Sequence, residues 1–256
     1  MNFKILTIVC LLTTMLNASD FSFRKYSHVE QFYAYNANDA IEISIKYNLP
    51  PAAILAMAGL ESGYGSGYVA QITGNILSLG AFKKDKELPS LYLPYSKSKK
   101  MVIFDSKEIK KYLKDDLAWK QREKSLKRDY RPSKYAGTVN NLELLTYDEG
   151  LRKKATIACL NDFATRWITD NSNIKVFKET RLWLDKLVKE KGVSILFSKK
   201  TNQDFILRIG GHSHSFNYRK TWPKKVKLIM KKVGLVELTS DIYFKSMDFN
   251  TAWKNR

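Results

Sequence analysis

The stretch Pro51-Ala-Ala-Ile-Leu-Ala-Met-Ala-Gly-Leu-Glu-Ser-Gly-Tyr-Gly-Ser66 decides how the chain is read. From Ala52 to Leu60 it contains only Ala, Ile, Leu, Met and one Gly, which predicts a helix buried on nearly all sides. Asn48-Leu-Pro-Pro51 leads into it, and a proline in the first turn of a helix sacrifices no hydrogen bond. Gly63, Gly65 and Gly67 follow, and glycine readily takes the left-handed backbone that closes a helix C-terminus. Glu61 stands between the apolar run and these glycines. Burial and the negative end of the helix dipole both disfavour a charged carboxylate there, so Glu61 is expected to hold its proton near neutral pH. A general acid needs that property. The plainer reading of the same position is an ordinary helix-end glutamate in solvent.

Working outward, Ala40, Ile41, Ile43 and Ile45 with Asn38 and Asp39 as caps predict a helix over Asn38 to Tyr47. Between Gly80 and Val102 the chain carries Pro89, Pro94, several Tyr and many Lys, which suits an irregular lobe or a small β-hairpin. Apolar residues recur at helical spacing over Ser106 to Arg128, Gly150 to Ile168 and Ile174 to Lys191. A further helix is predicted from Pro223 to its stop at Gly234. The fold expected is mainly α, with no internal repeat.

The chain has 256 residues and opens with the layout of a secretory signal. Lys4 is the positive residue, Ile5 to Leu12 the apolar run, and Leu16-Asn-Ala-Ser19 the small-residue cleavage region, with the cut expected after Ala18. A membrane span would need roughly 20 apolar residues, and Thr13, Thr14 and Asn17 interrupt this run. Val9 before Cys10 departs from a lipidation motif. Only Cys159 then survives, so the fold must rest on its core rather than on a disulfide. The formal charge is +19, or +18 after loss of Lys4, and such a surface seeks a polyanion. Export points away from nucleic acid and toward the carboxylate-bearing bacterial wall or an anionic lipid. The organisation expected is a signal at 1–18, an N-terminal extension at 19–37, one domain at 38–235 and a C-terminal tail at 236–256, in a periplasmic or secreted monomer without a stable membrane anchor.

Three motifs in order resemble the bacterial glucosaminidase family of peptidoglycan hydrolases, which includes the flagellar-rod muralytic domain and Bax-like proteins. The opening stretch is similar to an apolar helix ending in Glu-Ser-Gly-Trp-Gly, with Tyr64 standing for the Trp. Asn75-Ile-Leu-Ser-Leu-Gly80 resembles Asn-Leu-Phe-Gly-Ile-Lys, but Ser78 and Gly80 replace the Gly and Lys. Val102-Ile-Phe-Asp-Ser-Lys-Glu-Ile109 is similar to a Phe-Asp-Ser segment that opens the next helix, and Phe216-Asn-Tyr-Arg-Lys-Thr-Trp222 matches loosely. The resemblance implies a lysozyme-like helical domain with a small β-hairpin lobe. It implies cleavage of the β-1,4 bond after N-acetylglucosamine in peptidoglycan glycan strands, with Glu61 as general acid and no metal or organic cofactor. It also implies substrate contacts at Tyr64, Asn75 and Tyr218, with Phe216 and Trp222 competing for the last role.

Glycosidases of this kind often use a second carboxylate. The lobe offers Asp85 and Glu87, with Glu87 preferred. Solvated pairing with neighbouring lysines is the alternative for both, and the substrate's acetamido group could replace them as nucleophile. Tyr92 and Tyr95 are candidate sugar platforms in the lobe. His212-Ser-His214 lacks the third ligand of a zinc pattern and reads as loop or cleft rim. Three rival functions remain: a lytic transglycosylase, which shares the Glu-Ser-Gly motif, a noncatalytic wall-binding or assembly protein, and third a nucleic-acid-binding module, which a failure of export would revive.

Overall fold

A computed structural model describes residues 21–82, 92–103, 111, 114–121, 127–130 and 148–255. Helix α1 spans Ser27–Lys46, α2 Pro51–Ser62 and α3 Tyr68–Thr73. Strands β1 (Tyr92–Ser96), β2 (Met101–Val102) and β3 (Leu117–Gln121) form the lobe. Then come α4 (Glu149–Asp162), running into a π-helical turn at Phe163–Trp167, and α5 (Lys175–Lys191), α6 (Lys199–Ile209), α7 (Trp222–Val233), α8 (Leu235–Phe244) and α9 (Phe249–Lys254). The architecture is the expected one, mainly helical with a small antiparallel sheet.

Helix α2 is the centre of the packing. Every residue from Pro51 to Gly59 is buried, and α1, α6, α7 and α8 pack around it. A helix start in such surroundings leaves backbone donors that water cannot reach. Asn202 of α6, fully buried, accepts from the Ala53 amide at 2.8 Å and donates to the Leu196 and Ser198 carbonyls, both at 2.9 Å. One amide side chain thus satisfies three backbone groups and pins α6 to the start of α2.

The sheet has the order β2-β1-β3, with β1 antiparallel to both neighbours and Tyr95 opposite both Val102 and Ala118. The hairpin expected before Val102 is therefore present. The helix expected over Ser106 to Arg128 does not run through Lys114 to Gln121: Leu117 to Gln121 is strand, preceded by a 3₁₀ turn at Lys114–Asp116. Asp116 is the reason on that side. Its carboxylate accepts from the Ser96 hydroxyl at 2.8 Å and the Ser98 amide at 2.9 Å, and its carbonyl accepts from the Lys97 amide. Those bonds fasten the chain to the β1 turn, and pairing with β1 overrides the helical reading at Leu117. Ile109 and Leu113 lie outside the described residues, as do the segment 1–18 expected to be a signal and the 131–147 stretch.

The helical body also exceeds the expected limits of 38–235. Val29, Phe32 and Tyr33 of α1 belong to the core, as do Leu238, Phe249, Ala252 and Trp253 near the C-terminus. Arg24 joins the two ends. Buried itself, it donates to the carbonyls of Val233, Gly234, Ala252, Trp253 and Asn255, and its guanidinium lies 4.9 Å from the Trp253 ring centre. The segments expected as extension and tail thus complete the domain, because five backbone acceptors converge on one buried cation. At the other end of α1, Arg181 of α5 donates to the carbonyls of Tyr47 and Asn48 and closes the turn into α2.

Replacing Asn202 by Ala removes the side-chain partner of the Ala53 amide and of the Leu196 carbonyl in the core, while the Ser198 carbonyl keeps the backbone amide of residue 202. Each buried unsatisfied polar group costs about 1–3 kcal/mol, so Asn202→Ala is expected to lose about 2–4 kcal/mol of stability in equilibrium urea unfolding.

Candidate active site

The turn after α2 explains its glycines. Gly63, Tyr64 and Gly65 all adopt positive φ, at 56°, 54° and 74°. Ser62 holds them there: its hydroxyl donates to the Ala58 carbonyl at 2.6 Å and accepts from the Gly65 amide at 2.9 Å, while its carbonyl accepts from the Gly67 amide. Left-handed backbone is costly for a residue with a side chain, so Tyr64 is a strained position held by its neighbours. Its ring makes edge contacts with Phe32 and Tyr33 of α1 and with His28. The space comes from Gly59, where a Cβ would stand 3.1 Å from the Tyr64 ring and 2.6 Å from the Tyr33 hydroxyl.

Glu61 points the other way. Positions 59 and 61 are separated by about 200° around a helix, and the Glu61 side chain reaches the start of α7, where the Trp222 indole donates to its Oε1 at 2.7 Å. Together with Leu60, Asn217, Arg219, Thr221, Trp222 and Lys225, Glu61 lines an open cavity of about 170 Å³. Burial pushes its carboxyl above the ordinary value of 4.5. Hydrogen bonds from Trp222 and Asn217 and the charges of Lys127 and Arg219 pull in the opposite direction without cancelling the effect. The direction is the one expected from the sequence, and burial is its first cause. The arrangement can deliver a proton to a group in the cavity and then hold the resulting carboxylate with two hydrogen bonds and nearby cations.

The segment 209–222 is built to place these groups. Gly210 pairs with Asn217 in a short parallel bridge, the Gly211 amide donates to the Asn217 carbonyl at 2.8 Å, and the Phe216 amide donates to the Ile209 carbonyl at 2.7 Å. His212 and His214 lie in the loop between, where the His212 ring nitrogens contact the carbonyls of Ser213 and Arg208. The His-Ser-His motif is thus a turn that returns the chain so that Asn217 and Arg219 face Glu61. Among the described residues no group of three His, Cys, Asp or Glu side chains could hold a metal ion. Gly210 is required for a different reason than backbone freedom: a Cβ there would come within 2.2 Å of the Trp222 ring. Behind that ring Phe216, Trp167 and Phe177 continue a run of tilted and edge-on aromatic contacts into the core.

The structure gathers some of the residues singled out in the sequence and separates others. Of the three competing aromatics, Trp222 touches Glu61, Phe216 is packed beneath it, and Tyr218 is 71% exposed beside Asn217. Tyr64 lines a separate cavity of about 250 Å³ with Tyr35, Asn36, Gln71 and Arg152, on the far side of α2 from the Glu61 carboxyl. Asn75, expected as a substrate contact, is 2% exposed and is used internally. It donates to the Leu79 and Arg128 carbonyls and accepts from the Leu79 amide, closing the 75–79 loop on residue 128. Tyr92 pairs with Gln121 in the sheet, and the Tyr95 ring is covered by the Lys120 ammonium at 3.5 Å. Asp85 and Glu87 lie outside the described residues.

Asn217, Arg219, Lys225 and Lys127 were not singled out as site residues. The first two sit inside the Phe216 to Trp222 segment, so that motif carried the signal. Lys127 did not advertise itself. It reaches the site because Gly80, which takes the place of a lysine in the motif, forms a bridge with residue 127, and the Lys127 ammonium is held by the Ser78 carbonyl at 2.6 Å.

No known family model matches the chain, and no curated protein matches it. Among solved structures it is similar to the catalytic domain of the autolysin Auto from Listeria monocytogenes, with 16% sequence identity and a TM-score of 0.45, covering 92% of this chain and 98% of that one. A likeness at that level assigns no residue a role.

Two outcomes follow from the geometry. Gly210→Ala drives a methyl group into the indole, so it is expected to destabilise by about 1–3 kcal/mol, as overpacking does, and to alter Trp222 fluorescence in the folded protein. For Glu61, folding raises the pKa, so the folded state holds a proton that the unfolded state releases. Its contribution to stability therefore falls as pH rises from 4.5 through the raised value. Glu61→Gln lacks this loss. Its melting temperature relative to wild type is expected to climb across that window and then level off, as thermal denaturation over a pH series measures.

Proposed function

We propose that the protein is an exported peptidoglycan hydrolase that cleaves the β-1,4 bond after N-acetylglucosamine, with Glu61 as its general acid. One observation carries the reading: a carboxyl with a raised pKa, just beyond the buried Pro51–Gly59 run of α2, opens into a cavity and is bonded by an indole. Protonated Glu61 gives its proton to the bridging oxygen, so the leaving sugar departs as an alcohol, and an oxocarbenium-like sugar remains for water to capture. The groups that oppose the pKa rise act at this moment. Trp222, Asn217, Lys127 and Arg219 favour the carboxylate that proton transfer creates, while burial favours the protonated acid beforehand. Asp85 and Glu87, outside the described residues, are the proposed carboxylates for directing water, with Glu87 preferred. Tyr218, exposed beside Asn217, is the proposed sugar contact at the rim, and the glycan strands of the wall are the proposed partner of a protein whose charge is +19.

A second reading has an observation in its favour. Among the described residues that line the Glu61 cavity, Glu61 supplies the one carboxylate. A lytic transglycosylase would use a sugar hydroxyl in place of water and leave an anhydro-muramyl end.

Purified protein incubated with sacculi is expected to release muropeptides with a reducing N-acetylglucosamine end, identified by mass spectrometry. Glu61→Gln is expected to lower that rate by at least about a hundredfold, the usual range for loss of a general acid. Anhydro-muramyl products would establish the transglycosylase instead. An unchanged rate in Glu61→Gln would remove Glu61 from the mechanism.

A further inference from the structure

Helix α7 presents a second surface, independent of the Glu61 cavity. Lys224 and Lys225 are neighbours, but one residue turns a helix by about 100°. Lys225 lines the Glu61 cavity, whereas Lys224 lines a large open groove between α6, α7 and α8. Lys199, Lys227, Lys231 and Lys232 also border that groove, against a single carboxylate, Glu237. The floor is apolar, formed by Phe21, Leu228, Met230 and Val236, and Leu228 is 49% exposed in the middle of the lysines. Lys224, Lys227, Leu228 and Lys231 fall at the i, i+3, i+4 and i+7 positions of α7, one continuous stripe.

We infer that this groove docks the protein on an anionic lipid surface, with acidic headgroups on the lysine rim and the apolar floor resting against the glycerol and acyl region. Charge complementarity selects an anion. A purely polar polyanion would leave the exposed leucine and the apolar floor without a partner, whereas an acidic amphiphile satisfies both halves of the groove. Lysines near such a surface each contribute a substantial attraction, and lysine chains can lay their methylene stems over an apolar floor while their ammonium groups stay wet. No helix among the described residues is long and apolar enough to cross a membrane. Because Lys224 and Lys225 are adjacent, docking through one face of α7 fixes the bearing of the Glu61 cavity relative to the bilayer.

The test is co-sedimentation of the full mature chain with vesicles of phosphatidylcholine alone and of phosphatidylcholine mixed with phosphatidylglycerol. Binding is expected to the mixed vesicles only and to weaken with salt. The triple variant Lys224→Gln, Lys227→Gln, Lys231→Gln is expected to bind about a hundredfold more weakly, since each lysine near an anionic surface is worth about fivefold. Leu228→Ser, with every charge in place, is expected to weaken vesicle binding while leaving binding to inorganic polyphosphate unchanged. These positions are surface residues outside the Glu61 cavity, and unchanged melting temperatures of the variants confirm folding. Equal binding to both kinds of vesicle, undiminished binding of the triple variant, or no effect of Leu228→Ser overturns the inference. The last of these would assign the lysines to soluble polyanions. None of these outcomes bears on Glu61, which the product assay tests separately.

Discussion

The hydrogen bond from the Trp222 indole to Glu61 joins the C-terminal end of α2 to the N-terminal end of α7, across 161 residues of chain. Much of the site is arranged around it. Gly210 is small so that the indole can lie against the backbone, and Phe216, Trp167 and Phe177 back the ring from the core side. The loop carrying the two histidines returns Asn217 and Arg219 to the same carboxyl. An indole N–H can only donate, so the bond holds one carboxyl oxygen as an acceptor.

That arrangement works against stability. A carboxyl kept from water resists ionisation, and the folded chain carries that cost at every pH above the ordinary carboxylate range. Tyr64 adds a left-handed backbone in the next turn. The remainder of α2 offsets both: nine consecutive buried residues, Pro51 to Gly59, packed against four helices, with the orphan amide at its start satisfied by Asn202. Rigidity at the start of the helix thus permits an unfavourable group at its end. The ring of backbone acceptors around Arg24 closes the same body from outside, so the two ends of the chain stabilise a helix neither belongs to.

The surface divides along α7. Its buried stripe of Val226, Ile229, Met230 and Val233 faces α2, its first turn supplies Trp222 to the acid, and its outer stripe carries the lysines of the groove. A helix with an apolar inner face and a basic outer face is common in folded proteins. Here the two faces connect the proposed chemistry with the proposed place where it occurs.

By itself the sequence determined the central helix, its glycine closure, the position of Glu61 and the direction of its pKa shift, because these depend on local composition and on burial that an unbroken apolar run makes unavoidable. It also carried α4, α5 and α7, whose spacing is strong, though α4 gives way to a π-helical turn after Asp162. Leu117 to Gln121 misled, since pairing with β1 and the bonds of Asp116 are set by partners about twenty residues away. The roles of Asn75, Tyr64 and Trp222 were likewise decided only by the tertiary structure. A polar or aromatic side chain reads the same in sequence whether it serves a loop, a core or a cavity, and only the groups brought against it from distant segments determine which.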